Sequence, residues 1–454
     1  MNKEILLIDI DDSIQSAMLK LELNCLGIVF IVENNKVVGC ATDGDIRRVL
    51  LENSKLNEPI KKALNKDFTY LFQENETREN VLKLLDSKIQ VIPILTKDFK
   101  LVSIKSNENI DWNFSSNIIS KAKSPVRISF SGGGTDLTNY FIDDGGVVLN
   151  TTIDKFAHAI LQKRDDKKIV LISNDFNKKL NFDFLSDIKY DGELDLIKAV
   201  LKLLNPEFGF ELTTYSDVPI GSGLGGSAVI LSAIIGAFNN FRINKFNSHD
   251  IAELAFQAER IELGLSGGWQ DQYATVFGGF NFMEFKENEN VINPLRISPD
   301  ILNELEDSLI LCYSGISHNS GDIHDNQKEN MKEKKEFAKI AKDIAYDMKS
   351  KLLKGQLDNF GELLHKSWIV KKNFSTKITT SYLDDIYDYA ILNGAIGGKL
   401  LGAGGGGYYL FYVPTFKKLE LIKSLKKKNL VVDTFTFDNV GLRSWITKEK
   451  NENK

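Results

Sequence analysis

The residues best able to do chemistry in this 454-residue chain stand beside glycines. Residues 216–238, SDVPIGSGLGGSAVILSAIIGAF, place Gly221, Gly223 and Gly226 in a GxGxxG spacing between a strand-like run and a long apolar run. Such a turn exposes backbone N–H groups, and a helix starting near Ser227 adds its positive end, so the pattern predicts an anion site suited to phosphate. The Ser227 hydroxyl is then a candidate magnesium ligand. A dinucleotide site needs a second strand ending in an acidic residue about twenty residues on. The chain instead continues NNFRINKFNSHDIAEL, where Asn247 or Ser248 caps another helix. A P-loop needs lysine immediately before the hydroxyl residue, and Gly226 stands there.

Other segments carry complementary groups. In SPVRISFSGGGTDL, residues 124–137, Val126, Ile128 and Phe130 alternate with Arg127, Ser129 and Ser131, an amphipathic strand running into a glycine turn. Asp136, just past Gly133, Gly134 and Thr135, can accept hydrogen bonds from adjacent sugar hydroxyls, or simply cap the turn. In FQAERIELGLSGGWQDQYATVFGGFNF, residues 256–282, Glu259 and Glu262 share a helix face and are candidate magnesium ligands or a solvated surface. Gln270, Asp271 and Gln272 follow a glycine break. GGKLLGAGGGGYYLFYV, residues 397–413, sets Lys399, Gly404 and Gly405 in a third glycine turn before an apolar strand. Lys366, Lys371 and Lys372 do not form one helical stripe, yet with Arg127 and Lys399 they could surround a distal phosphate; each alone also reads as solvated.

The elements that position these groups belong to an ordinary globular chain. Apolar residues make up 43% and charged residues 26%, with a net charge of -5. The length predicts two or three domains. No basic stripe marks a nucleic-acid partner. Cys25, Cys40 and Cys312 form neither a disulfide framework nor a metal spacing, which fits a reducing, cytoplasmic setting. The apolar run 228–238 is too short to span a membrane, and the N-terminus lacks a signal-peptide pattern. His158, His249, His318, His324 and His365 are scattered without metal-ligand spacing, and His318 and His324 read as loop residues.

The first hundred residues repeat a small unit. GIVFIVENNKVVGCATDGD predicts strand, turn at Glu33 to Lys36, strand and polar loop; QVIPILTKDFKLVSIKSNEN repeats the order with its turn at Lys97 to Lys100. The pattern resembles the tandem CBS-domain module, whose strand-end motif is matched at Gly39, Thr42 and Asp45. The resemblance implies that Thr42 and Asp45 contact the ribose or phosphate of a nucleotide. The second copy has Ser103, Ser106 and Asn109 at those places, so a ligand-free packing or dimerisation module is the equal alternative. The expected division is a CBS pair at 1–106, a polar linker at 107–122 and a larger domain at 123–450.

That larger domain resembles the GHMP kinase superfamily, on Pro219, Gly223, Leu224, Gly226, Ser227 and Ala228, on GGGTD at 132–136, on GGWQDQYATVFGGFNFMEF and on GAGGGG at 402–407. Gly226 replaces the first serine of the family motif, leaving backbone amides and Ser227 to hold a triphosphate. Within the superfamily the wording is similar to the D-glycero-D-manno-heptose 7-phosphate kinases. The resemblance implies an α+β two-lobed kinase, preceded by the small α/β CBS pair, using ATP and Mg2+. Pro219, Gly221, Ser222, Gly223, Leu224, Gly225, Gly226 and Ser227 would wrap ATP; Asp271, with Arg127, would be catalytic; Glu259, or Glu262 in another helix register, would join Ser227 on magnesium. Gly133, Gly134, Thr135, Asp136, Gln270, Lys366, Lys371, Lys372, Lys399, Gly404 and Gly405 would surround the sugar phosphate. Asp136 suits a polyol and would repel a substrate carboxylate. The expected partners are therefore a small sugar phosphate, a nucleotide at the CBS pair and a second copy of the chain. Three rivals stay open: a kinase of another sugar, a CBS nucleotide sensor with an inert kinase domain, and a dinucleotide oxidoreductase.

Overall fold

The computed structural model describes residues 5–85, 89–106, 116–317 and 335–450. The chain divides into two compact units, Met1–Phe114 and Ser115–Lys454. In the first, strand Leu7–Asp9 runs parallel to Ile28–Glu33, which pairs antiparallel with Lys36–Thr42. Strands Leu71–Phe72, Val91–Leu95 and Leu101–Ser106 repeat that order and sense. Asn34 and Asn35 take positive φ of 49° and 64°, the geometry of a tight hairpin, where the sequence predicts the first turn. The two copies share a core: Phe30, Val37 and Cys40 pack with Val91 and Leu95, and Val37 N donates to Phe99 O at 2.8 Å.

Thr42 and Asp45 have work within the chain. Thr42 is the N-cap of helix Asp43–Leu51, and the two side chains form a capping box. The Asp45 carboxylate accepts from Thr42 N at 3.0 Å, Thr42 Oγ1 at 2.7 Å and Arg48 Nη1 at 3.1 Å. A nucleotide at this motif would have to displace those bonds.

The second unit opens with strand Ser116–Ser131, so the expected linker at 107–122 is corrected over its second half. One of its polar residues is a core residue: Ser120 is fully buried and donates to Ala237 O at 2.7 Å. The strand pairs with Gly146–Lys163 and Arg443–Lys450 in a nine-stranded sheet. Helices Asp195–Leu204, Gly226–Asn239, Ser248–Phe256 and Gln270–Phe277 contribute to a core with it. Helix Gly226–Asn239 is apolar on nearly every face and buried from Ala228 to Phe238 except at Ile230. An antiparallel sheet ordered Gly397–Leu400, Tyr408–Tyr412, Leu309–Tyr313, Val431–Asp433 forms the other lobe with helices Leu357–Lys372 and Ser381–Leu392 among others. The architecture is α+β. Among the described residues no helix is long and apolar enough to cross a membrane.

Candidate active site

Two cavities adjoin in the second unit. The larger, about 470 Å3, is walled by Pro219, Gly221, Ser222, Gly223, Gly225, Gly226 and Ser227. The smaller is lined by Gly132, Gly133, Gly134, Asp136, Gln270, Lys371 and Lys399. Arg127, Arg260, Asp271, Gly402 and Ala403 border both.

The glycine loop is built for backbone contact. Gly221, Gly223 and Gly225 have φ of 73°, 79° and 83°, a region open to glycine at little cost. Gly225 is the N-cap of helix Gly226–Asn239 and gives no side-chain cap, leaving the first-turn N–H groups for an anion. Leu224 departs from the expectation: its side chain is fully buried in the core, and its carbonyl accepts from Arg127 N at 3.1 Å.

The third glycine motif supports this loop from behind. Tyr408 N donates to Ser222 O at 2.9 Å. A Cβ on Gly402 would stand 2.6 Å from Gly223 Cα, and one on Gly407 2.5 Å from Ser222 O. Gly404 and Gly405 therefore do not surround a sugar as expected: a Cβ on Gly404 would meet Ile378 Cα at 2.9 Å, and Gly405 N donates to Ile378 O at 2.8 Å. Their spacing serves backbone packing.

Arg127 and Asp271 form a bidentate pair. Arg127 Nε and Nη2 donate to Asp271 Oδ1 and Oδ2 at 2.7 and 2.8 Å, and Nη1 donates to Gly223 O at 2.7 Å. Strand alternation buries Val126 and Ile128 and sends Arg127 to the site. Committed to these partners, Arg127 holds the carboxylate in the first turn of helix Gln270–Phe277 and is not spare for a distal phosphate. A Cβ on Gly225 would lie 3.4 Å from Asp271 Oδ2, so the bare loop gives the carboxylate room.

Asp136 ties the sugar-side turn to that helix. Its Oδ1 accepts from Gly134 N at 2.9 Å and its Oδ2 from Gln270 N at 3.1 Å. Burial pushes its pKa up, and the nearby Asp271 adds to the rise against those bonds. Gly268 leaves it space, since a Cβ there would be 1.9 Å from Oδ2. Thr135 is corrected: its hydroxyl bonds to Gly132 O and Val147 O at 2.7 and 2.9 Å, fully buried and away from the cavity.

Glu259 and Glu262 part company because Gln257–Glu262 is a π turn, wider than an α turn, and residues three apart no longer share a face. Glu259 is 5% exposed, accepts from Gln272 Nε2 at 2.8 Å and is hydrogen-bonded by Ser227; burial raises its pKa. Glu262 is exposed and accepts from Tyr190 OH at 3.3 Å. A carboxylate beside a hydroxyl at the phosphate loop is a hard oxygen donor set, which suits magnesium completed by phosphate and water.

The lysines also separate. Lys399 is buried; its ammonium donates to Phe130 O at 3.0 Å and Ser367 Oγ at 3.5 Å. Burial, aided by Arg127, lowers its pKa to about 7. Lys371 donates to Leu400 O and Gly402 O at 2.7 and 2.6 Å, and burial, then Lys399 and Arg127, pull its pKa well down. Lys366 is exposed and Lys372 faces Asp384 at 3.4 Å; neither lines the cavity as expected, because helix Leu357–Lys372 turns them outward. Arg260, Ser129 and Ser367 line the site without having been singled out. Among the described residues no group of three or more His, Cys, Asp or Glu is placed for a metal, and His318 and His324 lie outside them.

A phosphate loop, a carboxylate held by arginine between two cavities and a buried glutamate bonded to an exposed serine on that loop define a phosphotransferase. Residues 195–279 match the GHMP kinases N terminal domain, 348–427 the GHMP kinases C terminal domain and 1–52 the CBS domain. The chain is 40% identical over 333 residues to a D-glycero-alpha-D-manno-heptose 7-phosphate kinase of Campylobacter jejuni, covering 72% of this chain and 98% of that one. It is 31% identical over 320 residues to an L-fucokinase/L-fucose-1-P guanylyltransferase of Bacteroides fragilis, spanning 63% of this chain and 34% of that one. A D-glycero-D-manno-heptose 1-phosphate kinase structure from Bacteroides thetaiotaomicron superposes with TM-score 0.61 at 32% identity, covering 72% of this chain and 98% of that one. The chain belongs to the GHMP kinase superfamily and is a sugar kinase that uses ATP.

Proposed function

We propose that this kinase phosphorylates the anomeric hydroxyl of D-glycero-D-manno-heptose 7-phosphate, giving the 1,7-bisphosphate for nucleotide-activated heptose synthesis. The observation that carries the reading is the pair Lys371 and Lys399. Both lysines line the smaller cavity, and among the described residues their ammonium groups donate to carbonyl and hydroxyl oxygens. Buried cations with depressed pKa values are costly, and a substrate phosphate would repay that cost. The related proteins named for a heptose 7-phosphate and a heptose 1-phosphate agree on a phosphorylated heptose and leave the position to experiment.

The chemistry follows from positioning. ATP lies in the larger cavity with its phosphates on the glycine loop. The acceptor oxygen forms its bond to the γ-phosphorus as the bond to the ADP oxygen breaks, and the hydroxyl proton passes to Asp271. Arg127, bonded to both carboxylate oxygens, keeps that carboxylate aimed. An anomeric hydroxyl is more acidic than an ordinary alcohol, so the proton moves late. Magnesium, held by Glu259 and Ser227, would neutralise phosphate charge. The first unit is assigned as a regulatory or dimerising CBS pair.

Steady-state rates with heptose 7-phosphate and with the unphosphorylated heptose test the reading. A kcat/KM advantage of roughly 10- to 100-fold for the phosphate is expected from charge-assisted bonds. Equal values would point instead to a kinase of an unphosphorylated sugar.

A further inference from the structure

A phosphoryl group leaving the larger cavity for the smaller must pass the residues common to both, and only Arg127 and Arg260 among them are cations. Arg127 is occupied by Asp271 and Gly223 O. Arg260 is not saturated. Its Nη1 donates to Ser266 O at 2.8 Å, its Nη2 stands 3.4 Å from Glu259 Oε2, and its Nε is buried with no hydrogen-bond partner among the described residues. The guanidinium lies against Gly267, where a Cβ would be 2.2 Å from Nη2. The Gly267–Gly268 doublet thus serves two side chains at once, Arg260 and Asp136.

We propose that Arg260 is a catalytic residue, the cation that stabilises the phosphoryl group in transit. The inference rests on the phosphotransfer reading and is independent of which sugar accepts. As the bond to ADP lengthens and the acceptor bond forms, negative charge spreads over the equatorial oxygens of the moving group. A planar guanidinium can meet two such oxygens together, and the Arg260 side chain borders both cavities. The Leu265 and Ser266 carbonyls fix the side chain, and Glu259 pairs with Nη2 at 3.4 Å. Arg260 keeps its protons throughout; the acceptor proton goes to Asp271.

The test uses the full chain carrying Arg260→Gln, Arg260→Lys and Arg260→Ala. In Arg260→Gln, kcat should fall roughly 10²- to 10³-fold, the scale for losing one preorganised charge-stabilising group, with the Kd for ATP within about threefold of the native value. Arg260→Lys should recover part of the rate, and millimolar ethylguanidinium should raise the rate of Arg260→Ala. A second arm needs no sugar: in magnesium buffer, ADP with aluminium fluoride should bind the native protein more tightly than ADP alone, and Arg260→Gln should lose that difference. If the native enzyme ignores heptose 7-phosphate, the heptose reading fails while the fluoride arm still decides Arg260. Unchanged fluoride discrimination in Arg260→Gln, or a rate deficit that guanidinium leaves untouched, overturns the proposal.

Discussion

Replacing Lys399 with methionine should stabilise the fold and cripple sugar-phosphate binding together. Burial lowers the Lys399 pKa from 10.5 to about 7. At about 1.4 kcal/mol per unit, the shift corresponds to a cost on the order of 4–5 kcal/mol for keeping the ammonium charged inside the protein. Part is offset by the bond to Phe130 O, about 1 kcal/mol. Methionine has a similar length and no charge, so a gain of about 1–3 kcal/mol is expected near neutral pH, a trade of stability for function. The sign of the pH dependence is fixed by the direction of the shift. Between about pH 7 and 10.5 the unfolded chain holds the proton that the folded chain has released, so the native penalty shrinks as pH rises through that window. The advantage of Lys399→Met should therefore be largest below pH 7 and fade toward pH 10. Substrate binding runs the other way: a phosphate favours the protonated lysine, so its binding near pH 8 should take up a proton and weaken as pH rises. Denaturant melts at several pH values, with titration calorimetry in buffers of different ionisation enthalpy, measure both. Lys366→Met, at an exposed position outside the cavity, is the control and should change neither. Absence of proton uptake, with an unchanged KM in Lys399→Met, would refute the phosphate seat.

Further outcomes follow from the same geometry. Asp271→Asn should lower kcat by at least about 10³-fold while ATP binding, followed by calorimetry, stays within a few fold, because the amide can neither take the proton nor pair with both Arg127 nitrogens. Glu259→Gln should raise the magnesium concentration needed for half-maximal rate by roughly tenfold, whereas Glu262→Gln should leave it unchanged; equal effects would mean the π turn does not separate the two. Gly402→Val should abolish ATP binding without unfolding the other lobe, since its φ of 67° and its contact with Gly223 exclude a side chain. Nucleotide affinity retained in that variant would show that the second glycine loop stands without the third.

Much of the site was legible because its chemistry is local. Gly221, Ser222, Gly223, Gly225, Gly226, Ser227, Glu259 and Asp271, which spacing and resemblance group together, line one cavity, and the strand that delivers Arg127 is visible in its alternation. The misreadings share a cause: a sequence shows that a backbone can come close to something without showing to what. Gly404 and Gly405 meet Ile378 rather than a ligand. The hydroxyl of Thr135 closes its own turn, and Lys366 and Lys372 face away from the cavity their neighbour Lys371 enters. The π turn that separates Glu259 from Glu262 and places Arg260 at the site leaves no mark in a reading that assumes α-helical spacing. The Thr42–Asp45 capping box was readable from spacing alone, and a ligand motif sharing that spacing hid it.

The central claim is tested most directly by phosphorus NMR of the full chain with ATP, magnesium and D-glycero-D-manno-heptose 7-phosphate. A new anomeric phosphate signal should grow with ADP while the 7-phosphate signal persists. Turnover of an unphosphorylated sugar, with the heptose 7-phosphate left untouched, would contradict it.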